Sequence, residues 1–182
     1  MSILHIIDLA YRLKSITRKG WIKKVSIDML DAESVADHSY LTTLITMLLS
    51  DLKGLDTYKA IKIALLHDLA ESIIGDYTPE EIDEDVKHKI EDKAMREILD
   101  SLPDDLRISY TTLWREYLNN NSKEAVLVHE VDKLEMSIQA YRYEKMGYNK
   151  VLLREFHDSA LRYIRDEYIK GLIKDLKKDE TL

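Results

Sequence analysis

Residues 61–71 read Ile61-Lys62-Ile63-Ala64-Leu65-Leu66-His67-Asp68-Leu69-Ala70-Glu71, and the fold turns on how this stretch is understood. With its flanks it predicts a helix from about Thr57 to Ile74, apolar nearly all round and ended by Gly75. Such a helix belongs in the centre of a domain rather than on its surface. Yet it carries His67, Asp68 and Glu71. Burying an ionised carboxylate costs on the order of several kcal/mol unless it is paired or bound to a metal. Neighbouring helical residues diverge by about 100°, but a His and an Asp can both lean toward one ion lying between them. Glu71 follows Asp68 by one turn and projects over the same patch.

Outward from this stretch, about seven helices and no strand are expected. The first runs from Ile3 to Ser15, with Ile3, Ile6, Ile7, Ala10 and Leu13 on one stripe. Residues 17–32 look irregular and hold Arg18, Lys19, Gly20 and Trp21. A second helix, Glu33 to Leu52, turns His38, Leu41, Ile45, Leu48 and Leu49 inward. Thr78-Pro79-Glu80-Glu81 reads as a fresh start, with Thr78 as N-cap, Pro79 in the first turn and Glu81 closing a capping box. That helix reaches Leu102. Others follow from Asp104 to Leu118, from Lys123 to Met146, and from Val151 to Lys177 before a charged tail. Asp132 shares a stripe with Ala125, Val128, His129, Glu135 and Met136. No repeat or linker divides the chain, so residues 1–182 form one all-α domain.

Composition supports this. Hydrophobic residues make up 45% of 182, while five glycines and two prolines are too few for many short strands. A net charge of -7 argues against a general nucleic-acid surface, although a local arginine and a metal can still hold a small phosphate. The absence of cysteine excludes disulfides, thiolate zinc sites and Cys nucleophiles. No secretory signal and no stretch of roughly 18 apolar residues is present, which makes the cytoplasm the expected location and a membrane an unexpected partner.

His38, His67, Asp68 and Asp132 thus offer two imidazoles and two carboxylates from three helices. A mixed N/O set suits one divalent ion: Mn, Co or Mg, with Zn, Fe or Ni also compatible. The same order resembles the HD-domain family, and more closely its 5'-deoxynucleotidase branch, whose pattern is His…His-Asp…Asp. Glu33-Ser34-Val35-Ala36-Asp37-His38-Ser39, His67-Asp68-Leu69-Ala70-Glu71 with Gly75-Asp76, and Val131-Asp132-Lys133-Leu134-Glu135 are similar to three segments of that family. The resemblance is strongest over residues 13–143, with residues 151–182 as a C-terminal helix and tail.

The resemblance implies that His38, His67, Asp68 and Asp132 are metal ligands. It implies that Glu71 and Asp76 orient water and handle protons, that Arg18 holds the substrate phosphate, and that Trp21 packs on the sugar and disfavours a 2'-hydroxyl. Some members have the Arg and Trp adjacent, whereas Lys19-Gly20 separates them here. The implied reaction is hydrolysis of a deoxyribonucleoside 5'-monophosphate by in-line attack on phosphorus. The family also implies a homodimer, with the apolar last helix as a possible interface.

Two other readings compete. One is hydrolysis of a phosphodiester or pyrophosphate, although only His88 and His129 are available as extra ligands between Asp68 and Asp132. The other is a non-catalytic helical module with a vestigial metal site, which would not need Glu71 and Asp76. Without the family pattern, Arg18 and Trp21 read as a loop cation and an anchoring aromatic, His129 as a packed side chain and His88 as part of a solvated face. The second His-Asp pair, His157-Asp158, reads as a helix-surface pair or a packed edge.

Overall fold

Among residues 3–176, which the computed structural model describes, the chain forms ten α-helices and a 3-10 turn, with no strand. They are α1 (Ile3–Arg12), the 3-10 turn (Leu13–Ser15), α2 (Lys19–Val25), α3 (Val35–Lys53), α4 (Thr57–Leu66), α5 (Glu71–Ile74), α6 (Glu84–Leu99), α7 (Asp104–Leu118), α8 (Lys123–Lys145), α9 (Lys150–Tyr163) and α10 (Glu167–Leu176). The all-α expectation holds. The count exceeds seven because a supposedly irregular segment contains α2 and because several expected rods are broken, each break having a visible cause.

The break that matters most falls inside the decisive stretch. Helix α4 stops at Leu66, and His67 and Asp68 lie in the tight turn between α4 and α5 rather than within a continuous helix. His67 Nδ1 donates to the Ala64 carbonyl at 2.6 Å, competing for an oxygen that a regular helix would use. The following amides reach back only three residues, Leu69 to Leu66, Glu71 to Asp68 and Ser72 to Leu69.

The Thr78 start is half right. Thr78 N–H does donate to Glu81 at 3.0 Å, but the bond closes a turn. Lys23 and Lys24 of α2 draw Glu81 and Glu80 to themselves at 2.6 and 2.9 Å. The helix begins at Glu84, capped by Asp83. The last rod breaks at Ile164, which is extended, because Glu130 accepts from the backbone of Arg165 and Asp166, and Asp166 then caps α10. The expected end at Lys177 lies outside the described residues.

Helix α8, not α4, occupies the centre. It packs on α3, α4, α7, α9 and α10 and buries residues all round its circumference, from Ala125 to Tyr143. Helix α4 is shorter and leaves Tyr58 and Leu65 exposed. On α3 the buried row is His38, Thr42, Thr46, Leu49 and Ser50, so Leu48 turns outward instead of inward. On α1, Leu9 with Leu13 beyond it faces the core, while Ile3 and Ile7 are exposed.

Two features fix what surrounds His38. A capping box between Ser34 and Asp37 starts α3 one turn before it. A single antiparallel bridge, Thr17 with Ser34, joins residues 16–18 to residues 33–35 through Arg18 N–H to Glu33 O (3.0 Å) and Val35 N–H to Ile16 O (2.8 Å). That bridge sets Arg18 and the start of α2 beside the start of α3.

Candidate metal centre and its cavity

Three elements supply four candidate ligands: α3 gives His38, the turn after α4 gives His67 and Asp68, and α8 gives Asp132; His38, His67 and Asp132 form one tight group and Asp68 flanks the two imidazoles. His38 Nε2 lies 3.2 Å from Asp132 Oδ1, 3.5 Å from Asp68 Oδ2 and 3.3 Å from His67 Nε2. His67 Nε2 is 3.2 Å from Asp68 Oδ2. Ligands about 2.0–2.2 Å from a shared ion sit roughly 3.0–3.5 Å from one another, so the spacing suits a cation at the centre.

The hydrogen bonds on the far side of each ring make the case stronger. His38 Nδ1 faces Glu135 Oε2 at 2.5 Å and His67 Nδ1 faces the Ala64 carbonyl at 2.6 Å. A carbonyl only accepts, so His67 Nδ1 carries the proton, and at His38 the same arrangement, Nδ1 donating to Glu135, leaves Nε2 free to face the cluster. Each Nε2 is turned toward the other ring and toward a carboxylate, and so needs a proton or a cation beside it. Four electron-pair donors at such distances repel unless a proton or a metal ion lies among them. The donor set fits a divalent metal.

Electrostatics say the same. Burial and the Arg18 charge disfavour a protonated His38, yet Glu135 and Asp132 outweigh them and lift its pKa to about 10. Burial would raise Asp68 and Asp132, but for Asp68 the neighbouring His67, His38 and Arg18 prevail, and for Asp132 Lys133, His38 and Arg18 do, holding both carboxylates low. Without a metal, His38 therefore keeps a proton at neutral pH, and a bound ion must expel it. Since protonated His38 persists below its folded pKa, metal affinity should strengthen by about tenfold per pH unit as pH rises through 6.5, 7.5 and 8.5. Isothermal titration with a divalent ion checks this, and a flat profile would contradict it.

In front of the cluster lies a cavity of about 890 Å³, lined by His67, Asp68, Asp132, Arg18, Trp21, Glu71 and Asp76 among others. His38 stands behind its wall, fully buried. Arg18 Nη1 is 3.4 Å from Asp68 Oδ2, and Lys133 Nζ is 2.9 Å from Asp132 Oδ2, so each carboxylate ligand has its own cation. Glu71 is buried, with Oε2 unpartnered and Oε1 3.6 Å from Lys87. Burial first, then Asp68, raises its pKa well above the usual carboxylate range. Asp76, also buried, accepts from the Lys19 backbone N–H at 2.6 Å.

Trp21 sits deeper than a sugar-packing wall alone requires. Its ring is 2% exposed, stacks on Phe156 (centroids 4.2 Å apart) and donates its indole N–H to Glu33 at 2.7 Å. His129 lines the cavity while stacked on Tyr117, and exposed His88 stands at the cavity's edge. His157 is not a surface residue: it is buried, with Nδ1 on Ser137 Oγ at 2.7 Å and Nε2 3.2 Å from Glu144. Sequence reasoning gave no role to Lys133, Glu135 or Glu33. Glu135 was findable, lying one turn beyond Asp132 on the same stripe.

Comparison with known proteins gives the family. The HD domain family matches residues 10–171. The 5'-deoxynucleotidase HDDC2 of Homo sapiens is 34% identical over 181 residues, covering 99% of this chain and 87% of that protein. The Dictyostelium discoideum protein of the same name is 35% identical, covering 97% of each. A conserved hypothetical protein of Pyrococcus furiosus, solved as a structure, has a TM-score of 0.77 at 34% identity, covering 97% of this chain and 99% of that one. Motif, fold and near end-to-end similarity place this chain in the HD domain family.

Proposed function

We propose that the chain is a metal-dependent 5'-deoxynucleotidase, converting deoxyribonucleoside 5'-monophosphates to deoxyribonucleosides and phosphate. The observation that carries it is the group formed by His38, His67 and Asp132, with Asp68 beside both imidazoles, next to a cavity that also holds Arg18, Glu71 and Asp76. Relatives named 5'-deoxynucleotidase along almost the whole chain support the substrate class.

His38, His67, Asp68 and Asp132 hold one divalent ion, with Mn, Co or Mg preferred. The ion supplies Lewis acidity, offsetting phosphate charge and making a nearby water more acidic. Arg18 binds the non-bridging phosphate oxygens, where its charge counts most as the transition state forms. Water attacks phosphorus in line with the departing 5'-oxygen, and the P–O bond to that oxygen breaks. Glu71, with one buried oxygen unpartnered, gives its proton to the departing 5'-oxygen and takes one back from the attacking water. Asp76, anchored by the Lys19 N–H, orients the water. Trp21 limits space at the 2' position of the sugar.

A phosphate-release screen tests the reading, pairing deoxy and ribo monophosphates with Mn, Co, Mg and Zn. Turnover of deoxy substrates above ribo is expected, and no release from any nucleoside monophosphate would overturn it. Trp21→Ala would cost about 3–5 kcal/mol of stability at so buried a site, so Trp21→Phe is the better probe. It should narrow the deoxy-to-ribo ratio by roughly 10-fold.

The partner expected beyond substrate is a second copy of the chain. Exposed Leu48 and Leu52 of α3 border an apolar groove formed with Leu134, Ile138 and Leu172. Among the described residues, no helix is long and apolar enough to cross a membrane. Sedimentation at the monomer mass of 21.3 kDa would rule the homodimer out.

A further inference from the structure

Behind the ligand cluster, on the side away from the cavity, lies a second group of buried acids. Glu33, His38 and Glu135 place their ligand-type atoms within 4.8 Å of one another, all three buried. Glu135 Oε2 holds His38 Nδ1 at 2.5 Å, and Glu33 Oε1 accepts the Trp21 indole N–H at 2.7 Å. The remaining oxygen of each, Glu33 Oε2 and Glu135 Oε1, is buried without a partner. Buried acids with spare oxygens are expensive, so two side by side need a reason.

Glu33 is also tied in by its backbone. Its carbonyl accepts from Arg18 N–H at 3.0 Å, and its own N–H donates to the Tyr143 hydroxyl at 2.9 Å. Tyr143 in turn meets the Trp21 ring edge-on, with centroids 5.2 Å apart. One residue therefore holds both Arg18 and Trp21 while its carboxyl abuts the acid that orients His38. Neither Glu33 nor Glu135 lines the cavity. They reach the reaction only through the residues they hold.

We infer that Glu33 and Glu135 are positioning residues that join the substrate side of the site, Arg18 and Trp21, to the metal side, His38. Hydrogen bonds join the Trp21 indole to Glu33 and Glu135 to His38 Nδ1, and the two carboxyls lie side by side between them. Glu135 fixes the tautomer and ring direction of His38, as the outer partner of a metal-binding histidine does. Glu33 transmits that placement to the sugar wall and the phosphate arginine. An ion seated on His38 thereby also sets the wall against which the sugar is tested. The substrate half rests on the deoxynucleotidase reading, while the metal half does not.

Glutamine and leucine at these positions separate positioning from bulk. In Glu33→Gln the amide oxygen still accepts from Trp21, and its N–H₂ donates to the spare Glu135 oxygen. In Glu33→Leu the bond to Trp21 is lost at similar volume and nothing polar faces Glu135. Glu135→Gln keeps an acceptor for His38 Nδ1 but removes the charge that strengthens its basicity.

The experiment is Zn²⁺ titration of the full chain by calorimetry and by ¹⁵N–¹H spectra of the indole groups, with phosphate release measured alongside. Glu135→Gln should weaken Zn²⁺ binding by about 10–100-fold. The wild-type Trp21 indole resonance should shift saturably with Zn²⁺, while that of Trp114, bonded to Asp92 in the α6–α7 region, stays put. Glu33→Leu should lose the Trp21 shift and narrow the deoxy-to-ribo ratio, and Glu33→Gln should restore both.

Wild-type Zn²⁺ affinity in Glu135→Gln, or equal damage from Glu33→Gln and Glu33→Leu, would overturn the inference. If Glu33→Leu fails to fold, a Trp21 shift in Glu33→Gln that matches wild type supports it, and loss of that shift overturns it. A wild-type protein that turns over no nucleotide, yet shows the metal-linked Trp21 shift, would sink the substrate reading and leave the coupling standing.

Discussion

Asp68→Asn should abolish phosphate release, lowering kcat/KM by at least about 10³-fold, on the order of 4 kcal/mol of transition-state stabilisation. Asp68 sits at the junction of two systems. Its Oδ2 lies 3.2 Å from His67 Nε2 and 3.5 Å from His38 Nε2 on the metal side. The same atom is 3.4 Å from Arg18 Nη1 on the phosphate side. An amide is a poor ligand for a divalent ion and brings no negative charge, so the ion would bind more weakly. Arg18 would lose its nearest counter-charge and the direction it imposes. Both losses fall on groups proposed to act only when phosphate charge redistributes, so they multiply in kcat/KM. Metal content, calorimetry and phosphate release measured together check this. Retention of more than about a tenth of wild-type turnover with normal metal binding would place the chemistry elsewhere.

Glu71→Gln should separate binding from proton transfer. Glutamine preserves shape and an acceptor but can neither take nor give a proton. A fall of about 10²–10⁴-fold in kcat is expected, with metal affinity close to wild type. Fold stability should hold as well. Burial, then the Asp68 charge, pushes the Glu71 pKa well up, so a neutral amide suits that environment at least as well as an ionised carboxylate. A stable, metal-loaded Glu71→Gln protein with unimpaired turnover would remove Glu71 from the mechanism and leave Asp76 as the proton-handling group to test.

The chemistry was more legible in the sequence than the shape that delivers it. Ionisable residues in an apolar stretch stand out because hydrophobic pattern and residue type conflict, and that conflict is local and readable. His67 and Asp68 revealed themselves this way. What the pattern could not show is that the helix ends at Leu66 so that both side chains can turn inward. A side-chain bond from His67 to the Ala64 carbonyl accompanies that end, and periodicity does not encode it. The Thr78 box misled for a similar reason: its local bond forms, but Lys23 and Lys24 of α2 capture Glu81 and Glu80 and hold the segment as a turn.

Burial direction was the weaker part of the reading. On α3, His38 and Leu49 face inward as expected and Ile45 packs on the core, but Leu48, expected inward because Leu outranks Thr on any hydrophobic scale, does not. The fold instead buries Thr42 and Thr46 against neighbouring helices. His157 settles on the packed of its two expected readings: it is buried and bonded to Ser137 and near Glu144, partners twenty and thirteen positions away that no local pattern reveals. Glu33 and Glu135 stand inside the quoted motifs, yet only the folded chain shows them meeting behind His38.

Diffraction from crystals grown with Mn²⁺, using the anomalous signal of the metal, tests the central claim most directly. The account predicts one strong peak about 2.0–2.3 Å from His38 Nε2, His67 Nε2, Asp68 and Asp132, the range usual for such ligands. A peak at a different cluster, or Mn²⁺-saturated crystals with no peak among these four side chains, would contradict it.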